Sequence, residues 1–149
     1  MMVAVAAGEF RRTLEQRRDQ RTSWERTDEA FFAAGACHIL AWACRSVHVE
    51  RRPEIVALRL PGARHALHTY AVVGEWAFDF SGWNPEQSLI ETNRQFEGEH
   101  RSERLVIGST LEEFCAEHAH RAPHLFVHDP WPRAVAYVRR FPPVWRTGR

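Results

Sequence analysis

The segment from residue 68 to residue 80 constrains the fold more than any other part of this chain. It reads H-T-Y-A-V-V-G-E-W-A-F-D-F, with two runs of apolar and aromatic residues on either side of Gly74-Glu75. A two-residue loop with glycine first is typical of a type II′ hairpin. Because side chains alternate across a strand, this loop places His68 and Asp79 on one face as diagonal neighbours.

The register of this hairpin also predicts which side chains face the core. With this loop, Val73 pairs with Trp76. The face opposite Asp79 then carries three aromatic residues, and we expect it to be buried: Trp76, Phe78 and Phe80. A slip by one residue would place Asp79 among these aromatic rings, and the cost of that slip favours the register described here.

A buried helix is predicted upstream of the hairpin. Residues 35–44 read G-A-C-H-I-L-A-W-A-C, and apolar positions recur at the spacing of a core-facing stripe: Ile39, Leu40, Ala43 and Val47. We expect the helix to begin near Ala36, which puts Cys37 in its first turn. There the unpaired backbone N–H groups and the helix dipole stabilise an anion, so the pKa of the Cys37 thiol should fall below its free value of about 8.5.

The remaining segments predict an α+β chain folded as one domain over residues 1–149, which is long enough to bury a core. Residues 9–29 are rich in charge, with Phe10 and Leu14 four apart, and predict a solvent-facing helix within a charged N-terminal part, 1–29. Further helices are predicted at 85–92, 109–120 and 131–141, and further strands at 54–60 and 105–107. We expect a turn at 81–84, with Asn84 as helix cap, and a loop at 94–104.

Composition and charge exclude several classes of protein. The 20 basic and 19 acidic residues leave a net charge of +1, which gives no electrostatic case for binding nucleic acid or an anionic membrane. No apolar run approaches the ~18 residues of a membrane span, and the first residues lack the basic region of a secretory signal. Cys37 and Cys44 lie about 10 Å apart along a helix, too far for a disulfide. We therefore expect a reduced, cytoplasmic protein.

Three residues of the segment 35–82 fit the chemistry of a thiol nucleophile. Cys37, His68 and Asp79 follow in the order sulfur, base and orienter, the groups that activate a cysteine for covalent catalysis. Taken singly, a free cysteine is usually a small buried hydrophobe, as Cys44 is expected to be. Aspartate is disfavoured within an aromatic strand, however, so packing alone does not explain Asp79. Together the three residues predict a catalytic triad within the catalytic core segment, 35–82. Such a triad needs no metal and no other cofactor.

This arrangement resembles the papain-like cysteine fold, in particular its bacterial branch of transglutaminase-like enzymes, cell-wall amidases and papain-like toxin domains. The resemblance covers roughly residues 31–91. It rests on G-A-C-H-I-L-A-W-A at 35–43, on His68 at a strand start, and on F-D-F-S-G at 78–82. It implies N-terminal helices, one of them carrying the nucleophile, packed on a small antiparallel sheet. It also implies acyl transfer from an amide or thioester, with the three residues above as nucleophile, base and orienter.

On this basis we expect a cysteine-dependent hydrolase or acyltransferase whose substrate is a peptide or protein amide. An amidase, a deamidase, a peptidase-like enzyme or a transglutaminase-like enzyme would fit. A toxin domain of this kind would be secreted as an effector without a classical signal peptide, and it would have a partner or immunity protein.

The sequence departs from the family pattern at the oxyanion hole, because no upstream side chain matches the usual donor. Gln20 or the indole of Trp24 could serve, but neither has motif support. The backbone amide of Cys37 is the simpler donor. Further candidates for contact with the substrate are His38, Tyr70 and Trp83.

Other interpretations stay open at this point. The chain could be a non-catalytic protein-binding module that keeps the fold without the chemistry. It could also be a histidine-rich metal-binding protein, because five candidate ligands crowd into one short stretch: Cys115, His118, His120, His124 and His128. Cys115 and His118 share a helical face, but Pro123 and the expected loop separate the others. Within the enzyme interpretation, His65 is a rival base.

Overall fold

The computed structural model describes residues 3–98 and 102–147 and has an α+β architecture. Within these ranges, five strands form one antiparallel sheet in the order β4-β3-β2-β1-β5. The strands are β1 (Glu54–Arg59), β2 (His68–Val73), β3 (Trp76–Asp79), β4 (Gly82–Pro85) and β5 (Glu103–Ile107). The first four pair in chain order, whereas β5 returns from farther along the chain to pair with β1.

The hairpin of β2 and β3 has the predicted register. Val73 pairs with Trp76, and Val72 pairs with Ala77. Gly74 has a φ of +61°, a left-handed value that glycine adopts without steric cost and that a type II′ turn requires at this position. The register therefore sets the start of β2 beside the end of β3.

Helices pack on both faces of the sheet and also form much of the described chain before β1 and after β5. They are α1 (Leu14–Arg18), α2 (Gln20–Trp24), α3 (Asp28–Ala33), α4 (Cys37–Val47), α5 (Glu86–Glu97), α6 (Leu111–Glu117), α7 (Trp131–Arg139) and α8 (Val144–Thr147). Short 3₁₀ turns lie at Ala7–Phe10, Val49–Arg51 and Pro123–Leu125. None of the helices in the described part of the chain has the length and apolar character needed to cross a membrane.

Both faces of the sheet are buried. Helix α4 packs against β2 and against α7, and its residues Ile39, Leu40 and Cys44 are fully buried there. On the opposite face, Leu89 and Ile90 of α5 pack against apolar side chains of β1, β2 and β3. A charged side chain inside such a sheet must be paired, because an unpaired buried charge is strongly destabilising.

The N-terminal part contains three short helices where the sequence pattern predicted a single helix over 9–29. Three capping side chains interrupt it, each accepting a hydrogen bond from a backbone N–H of the turn that follows: Thr13, Asp19 and Thr27. Such side chains favour helix starts over helix interiors. Leu14, the first residue of α1, is 61% exposed.

Some other boundaries also differ from the sequence pattern. Most of the turn predicted at 81–84 is strand β4, which pairs with β3. Helix α5 has Pro85 rather than Asn84 at its N-cap position, and it runs to Glu97, past the predicted end. Trp76 is 39% exposed rather than in the core, because it adjoins the hairpin loop. The predicted loop 94–104 includes residues that lie outside the described ranges.

Candidate active site

The sulfur of Cys37 lies where helix α4 meets a cavity. Cys37 is the first residue of α4, and Ala36 at the N-cap position makes no side-chain hydrogen bond to the first turn. The first-turn N–H groups are therefore available to an anion. Cys37 is only 8% exposed, yet it lines a cavity of about 700 Å³ through which a substrate could reach the sulfur.

A buried histidine–aspartate pair lies beside this sulfur. His68 Nε2 and Asp79 Oδ2 are 2.9 Å apart, and each residue is 2% exposed. The other carboxylate oxygen, Oδ1, accepts hydrogen bonds from the Ser81 backbone N–H at 2.9 Å and from the Ser81 hydroxyl at 2.6 Å. Because an ionised carboxylate only accepts hydrogen bonds, His68 Nε2–H donates to Asp79. His68 Nδ1 has no regular hydrogen bond within the described residues, so it is the nitrogen left to interact with Cys37.

The charge state of the site follows from the balance between burial and hydrogen bonding. Burial alone would raise the pKa of the Cys37 thiol, but the neighbouring His120, His38 and His68 side chains hold it well below its usual range. Burial alone would lower the pKa of His68, but its hydrogen bond to Asp79 and its proximity to Cys37 raise it to about 10. Both shifts favour the charged forms, a thiolate beside an imidazolium.

The other two cysteines have the opposite electrostatics. Burial raises the pKa of the Cys44 thiol above its usual range. Burial, followed by the charge of Glu112, raises the pKa of Cys115 to about 11. Both thiols stay protonated at neutral pH and are poor nucleophiles.

Two more histidines surround the Cys37 sulfur. His38 Nε2 donates to the Arg121 carbonyl at 2.7 Å, and His120 Nδ1 donates to the His118 carbonyl at 2.9 Å. Since these nitrogens carry protons, the second nitrogen of each ring is the one available to the sulfur. One donor atom from each of Cys37, His38 and His120 lies within 4.8 Å of the other two. In the described ranges, these three are the only group of cysteine, histidine and carboxylate side chains with the spacing of a metal site.

The sequence pattern did not predict that His120 lies at the site. Helix α6 was expected to continue to about His120, but it ends at Glu117. Ala119 then takes a φ of +56°, a left-handed value that is uncommon outside glycine. This reversal directs His120 toward Cys37. The histidine-rich stretch was a visible signal, but nothing in it indicated a partner so far away in the sequence.

The five candidate ligands of the histidine-rich stretch, left open as an alternative metal site, do not converge in the part of the chain that the structure describes. The Cys115 sulfur donates to a backbone carbonyl at 3.6 Å, and His118 stacks on a phenylalanine with ring centroids 4.5 Å apart. His124 and His128 are exposed. Of the five, only His120 joins a group of candidate ligands, and it does so with residues of α4.

None of the five residues predicted to contact substrate or oxyanion lines the cavity at Cys37, and four of them have their described contacts elsewhere. Trp24 packs against a phenylalanine of α3 and an arginine of α7, and Gln20 is the first residue of α2. The Tyr70 hydroxyl donates to a glutamate of α5 at 2.7 Å, and Trp83 is buried against a phenylalanine of β3. Packing or hydrogen bonding accounts for the positions of Trp24, Tyr70 and Trp83.

The remaining predicted residues do lie at the site. His38 contacts Cys37 from the first turn of α4. His65, the rival base, lines the cavity and stacks on His120 with ring centroids 4.4 Å apart. His65 has no carboxylate partner within the described residues, whereas His68 has Asp79. The orienting group therefore favours His68 as the base.

Comparisons with protein-family models, with curated proteins and with solved structures found no match for this chain. The function therefore has to follow from the chemistry of the site itself.

Proposed function

We propose that this protein is a cysteine-dependent hydrolase or acyltransferase with a papain-like fold, which acts on a peptide or protein amide. The observation that carries the proposal is the 2.9 Å contact between His68 Nε2 and Asp79 Oδ2, beside a cysteine at a helix N-terminus. Buried charged pairs are costly to form, and perturbed pKa values in a cleft are typical of functional sites. The position of this pair next to the Cys37 thiol favours catalysis over packing.

In the first half of the proposed reaction, the Cys37 thiolate attacks the carbonyl carbon and forms a C–S bond. The carbonyl oxygen takes up the negative charge, and first-turn N–H groups of α4, including that of Cys37, stabilise it. The His68 imidazolium gives its Nδ1 proton to the leaving amine as the C–N bond breaks. A thioester and a neutral imidazole remain.

In the second half, water or an acceptor amine attacks the thioester carbonyl. His68 Nδ1 takes the proton of the attacking group, the C–S bond breaks, and the thiolate–imidazolium pair is restored. Asp79 stays bound to Nε2–H throughout, so it keeps the imidazole in one tautomer and one orientation.

Alkylation with iodoacetamide at pH 6 tests whether Cys37 is an activated thiolate. Mass spectrometry of the native protein should show fast labelling of Cys37 and slow labelling of Cys44 and Cys115, since both have raised pKa values. His68→Gln should slow the labelling of Cys37 by about tenfold or more, because the imidazolium no longer stabilises the thiolate. Equal labelling of all three cysteines would refute activation and favour a non-catalytic module.

Acyl transfer itself can be tested with an activated ester such as p-nitrophenyl acetate. We expect a burst of p-nitrophenolate equimolar with the protein, and an acetyl group on Cys37 by mass spectrometry. Cys37→Ala should abolish the burst. Cys44→Ala is the matched control and should keep it, because Cys44 is buried in the core and does not line the cavity. A folded wild-type protein that gives no burst would contradict the proposal.

We propose metal binding as the second candidate function, on the basis of the group formed by Cys37, His38 and His120. Each of the two histidines donates its other ring N–H to a backbone carbonyl, as metal-ligating histidines commonly do. One sulfur and two imidazole nitrogens suit Zn²⁺ with a fourth position open. Zn²⁺ at this site would occupy the sulfur, so metal binding and acyl transfer exclude each other.

Calorimetric titration with Zn²⁺ separates the two candidates. A metal-binding protein should bind one Zn²⁺ tightly, lose that binding in His120→Ala and Cys37→Ala, and keep it in His68→Gln, because His68 is outside the group of three. Weak binding that His120→Ala leaves unchanged would count against the metal function. Fast alkylation of Cys37 in the same preparation would then favour the hydrolase.

A further inference from the structure

The charged side chains that line the cavity beside Cys37 are mainly positive. Its described lining residues include four arginines and one carboxylate: Arg11, Arg12, Arg17, Arg121 and Glu97. Glu97 is already paired, because its Oε2 accepts a hydrogen bond from Arg11 Nη2 at 2.8 Å. Arg12, Arg17 and Arg121 have no acidic partner within the described residues.

Two guanidinium groups lie against the backbone just before the nucleophile. A Cβ built on Gly35 would be 3.2 Å from Arg26 Nη2 and 3.4 Å from Arg12 Nε. Arg26 donates only to uncharged oxygens, at 2.9 Å to the Ser23 carbonyl, 2.9 Å to the Ser23 hydroxyl and 3.2 Å to the Ala30 carbonyl. The positive charge near Gly35 is therefore not neutralised by a carboxylate of the described chain.

The arginines also repel one another. Burial lowers the pKa of Arg12, and the charges of Arg121 and Arg17 lower it further, whereas the Cys37 thiolate acts in the opposite direction. Burial likewise lowers the pKa of Arg26 to about 10, and the charge of Arg12 adds to that effect. Holding like charges together in a partly buried place raises the free energy of the folded protein, and a bound anion would offset that increase.

We infer that the substrate carries an oxyanion group, a carboxylate or a phosphate, that binds Arg12 and Arg121 in the cavity while the reacting carbonyl lies at Cys37. This inference rests on the proposed acyl transfer at Cys37 and names the class of substrate. Guanidinium groups are well suited to the role, because their paired N–H donors match the geometry of carboxylate and phosphate oxygens. Arg17, which is exposed in the cavity wall, would add long-range attraction for the same group.

Two alkylating reagents that differ by one charge test this inference. Iodoacetate carries a carboxylate and iodoacetamide does not, and with both the thiolate displaces iodide to form the same kind of C–S bond. The measured quantity is the ratio of the two rate constants at Cys37, iodoacetate over iodoacetamide, relative to the same ratio for glutathione. In the wild-type protein we expect this relative ratio to be well above one.

Variants of the lining arginines separate their effect from that of the His68 imidazolium. Arg12→Gln and Arg121→Gln should each lower the relative ratio by about tenfold, the size expected for one lost charged hydrogen bond. Arg139→Gln is the matched control, because Arg139 is exposed on α7 and does not line the cavity, yet the change in net charge is the same. A ratio that is the same in Arg12→Gln, Arg121→Gln and Arg139→Gln would overturn the inference.

The same experiment distinguishes failure of the inference from failure of the proposed function. Slow reaction of Cys37 with the neutral reagent would contradict the activated thiolate, whatever the arginines do. Fast reaction with iodoacetamide and no preference for iodoacetate would leave the thiolate intact and refute the anion site.

Protection of Cys37 from iodoacetamide then identifies the anionic group. Inorganic phosphate and glutarate are compared with chloride at equal ionic strength, which removes the general effect of screening. Protection by phosphate alone supports a phosphorylated substrate, and protection by glutarate alone supports a carboxylate. If neither phosphate nor glutarate protects Cys37 more than chloride does, the proposed anion site is refuted.

Discussion

Replacing Asp79 by asparagine is the sharpest single test of the site, because it removes one charge and almost no volume. In the wild-type protein Asp79 Oδ2 accepts the Nε2–H of His68 at 2.9 Å, and Oδ1 accepts two hydrogen bonds from Ser81. An asparagine oxygen can still accept from Ser81. Its uncharged amide can no longer stabilise a protonated imidazole in a buried position.

The expected magnitude follows from the pKa of His68. That pKa is raised to about 10 although burial acts to lower it, and Asp79 is the first of the groups that raise it. An adjacent opposite charge shifts a pKa by about 1–3 units, so Asp79→Asn should lower the pKa of His68 by about 2 units. At pH 9, between the two pKa values, about nine tenths of His68 is protonated in the wild-type protein and about one tenth in Asp79→Asn. Cys37 loses its counter-charge to that extent, so its alkylation at pH 9 should slow by up to about tenfold.

Two measurements check this expectation. Titration of the imidazole by NMR gives the pKa of His68 in both proteins, and the iodoacetamide rate reports the thiolate of Cys37. Ser81→Ala is the control, because it removes the 2.6 Å hydroxyl hydrogen bond but leaves the charge of Asp79 in place. Its effect on both quantities should be much smaller. If His68 titrates at the same pH in Asp79→Asn and wild-type protein, Asp79 is not its counter-charge and the reasoning fails.

Four further outcomes are expected. The alkylation rate of Cys37 should rise with pH around a midpoint well below 9.0, because the pKa of this thiol is lowered in the folded protein. Turnover should fall above pH 10, because His68, with a folded pKa of about 10, then loses the proton that it donates. In denaturant titrations, Tyr137→Phe should lower the free energy of unfolding by about 1–3 kcal/mol, since the buried Phe80 carbonyl loses the donor that bonds it. Arg133→Lys should cost about 1–2 kcal/mol in the same assay, because a lysine cannot replace three guanidinium hydrogen bonds to the N-terminal segment. An unchanged denaturation midpoint in either variant would show that the hydrogen bonds it loses do not contribute to the stability of the fold.

The parts of the structure that the sequence predicts well are those set by neighbouring residues. Gly74 at the first loop position and the alternation on either side determine the register of β2 and β3, and both can be read within thirteen residues. The start of α4 follows from the apolar stripe behind Cys37. The close approach of His68 to Asp79 depends only on this local register.

The rest of the site depends on long-range packing and has no local signal. His38 bonds the carbonyl of Arg121, 83 positions away, and His120 reaches the sulfur through the same contact between α4 and the segment after α6. Arg12 arrives from the N-terminal segment, whose helices are too short to be inferred from periodicity. In a chain with 20 arginines, no pattern distinguishes Arg12 from the exposed ones.

The three cysteines differ in their surroundings rather than in residue type, and under the proposed function only Cys37 has the surroundings of a nucleophile. Cys37 and Cys44 lie on the same helix, yet the pKa of Cys37 is lowered and that of Cys44 is raised, both against a background of burial that raises it. The difference comes from the histidines around Cys37, which belong to α4 itself, to the start of β2 and to the segment after α6. These segments meet only in the folded chain. A reactive sulfur is therefore a property of the assembled tertiary structure, and any change that separates the three segments should return Cys37 to the reactivity of an ordinary thiol.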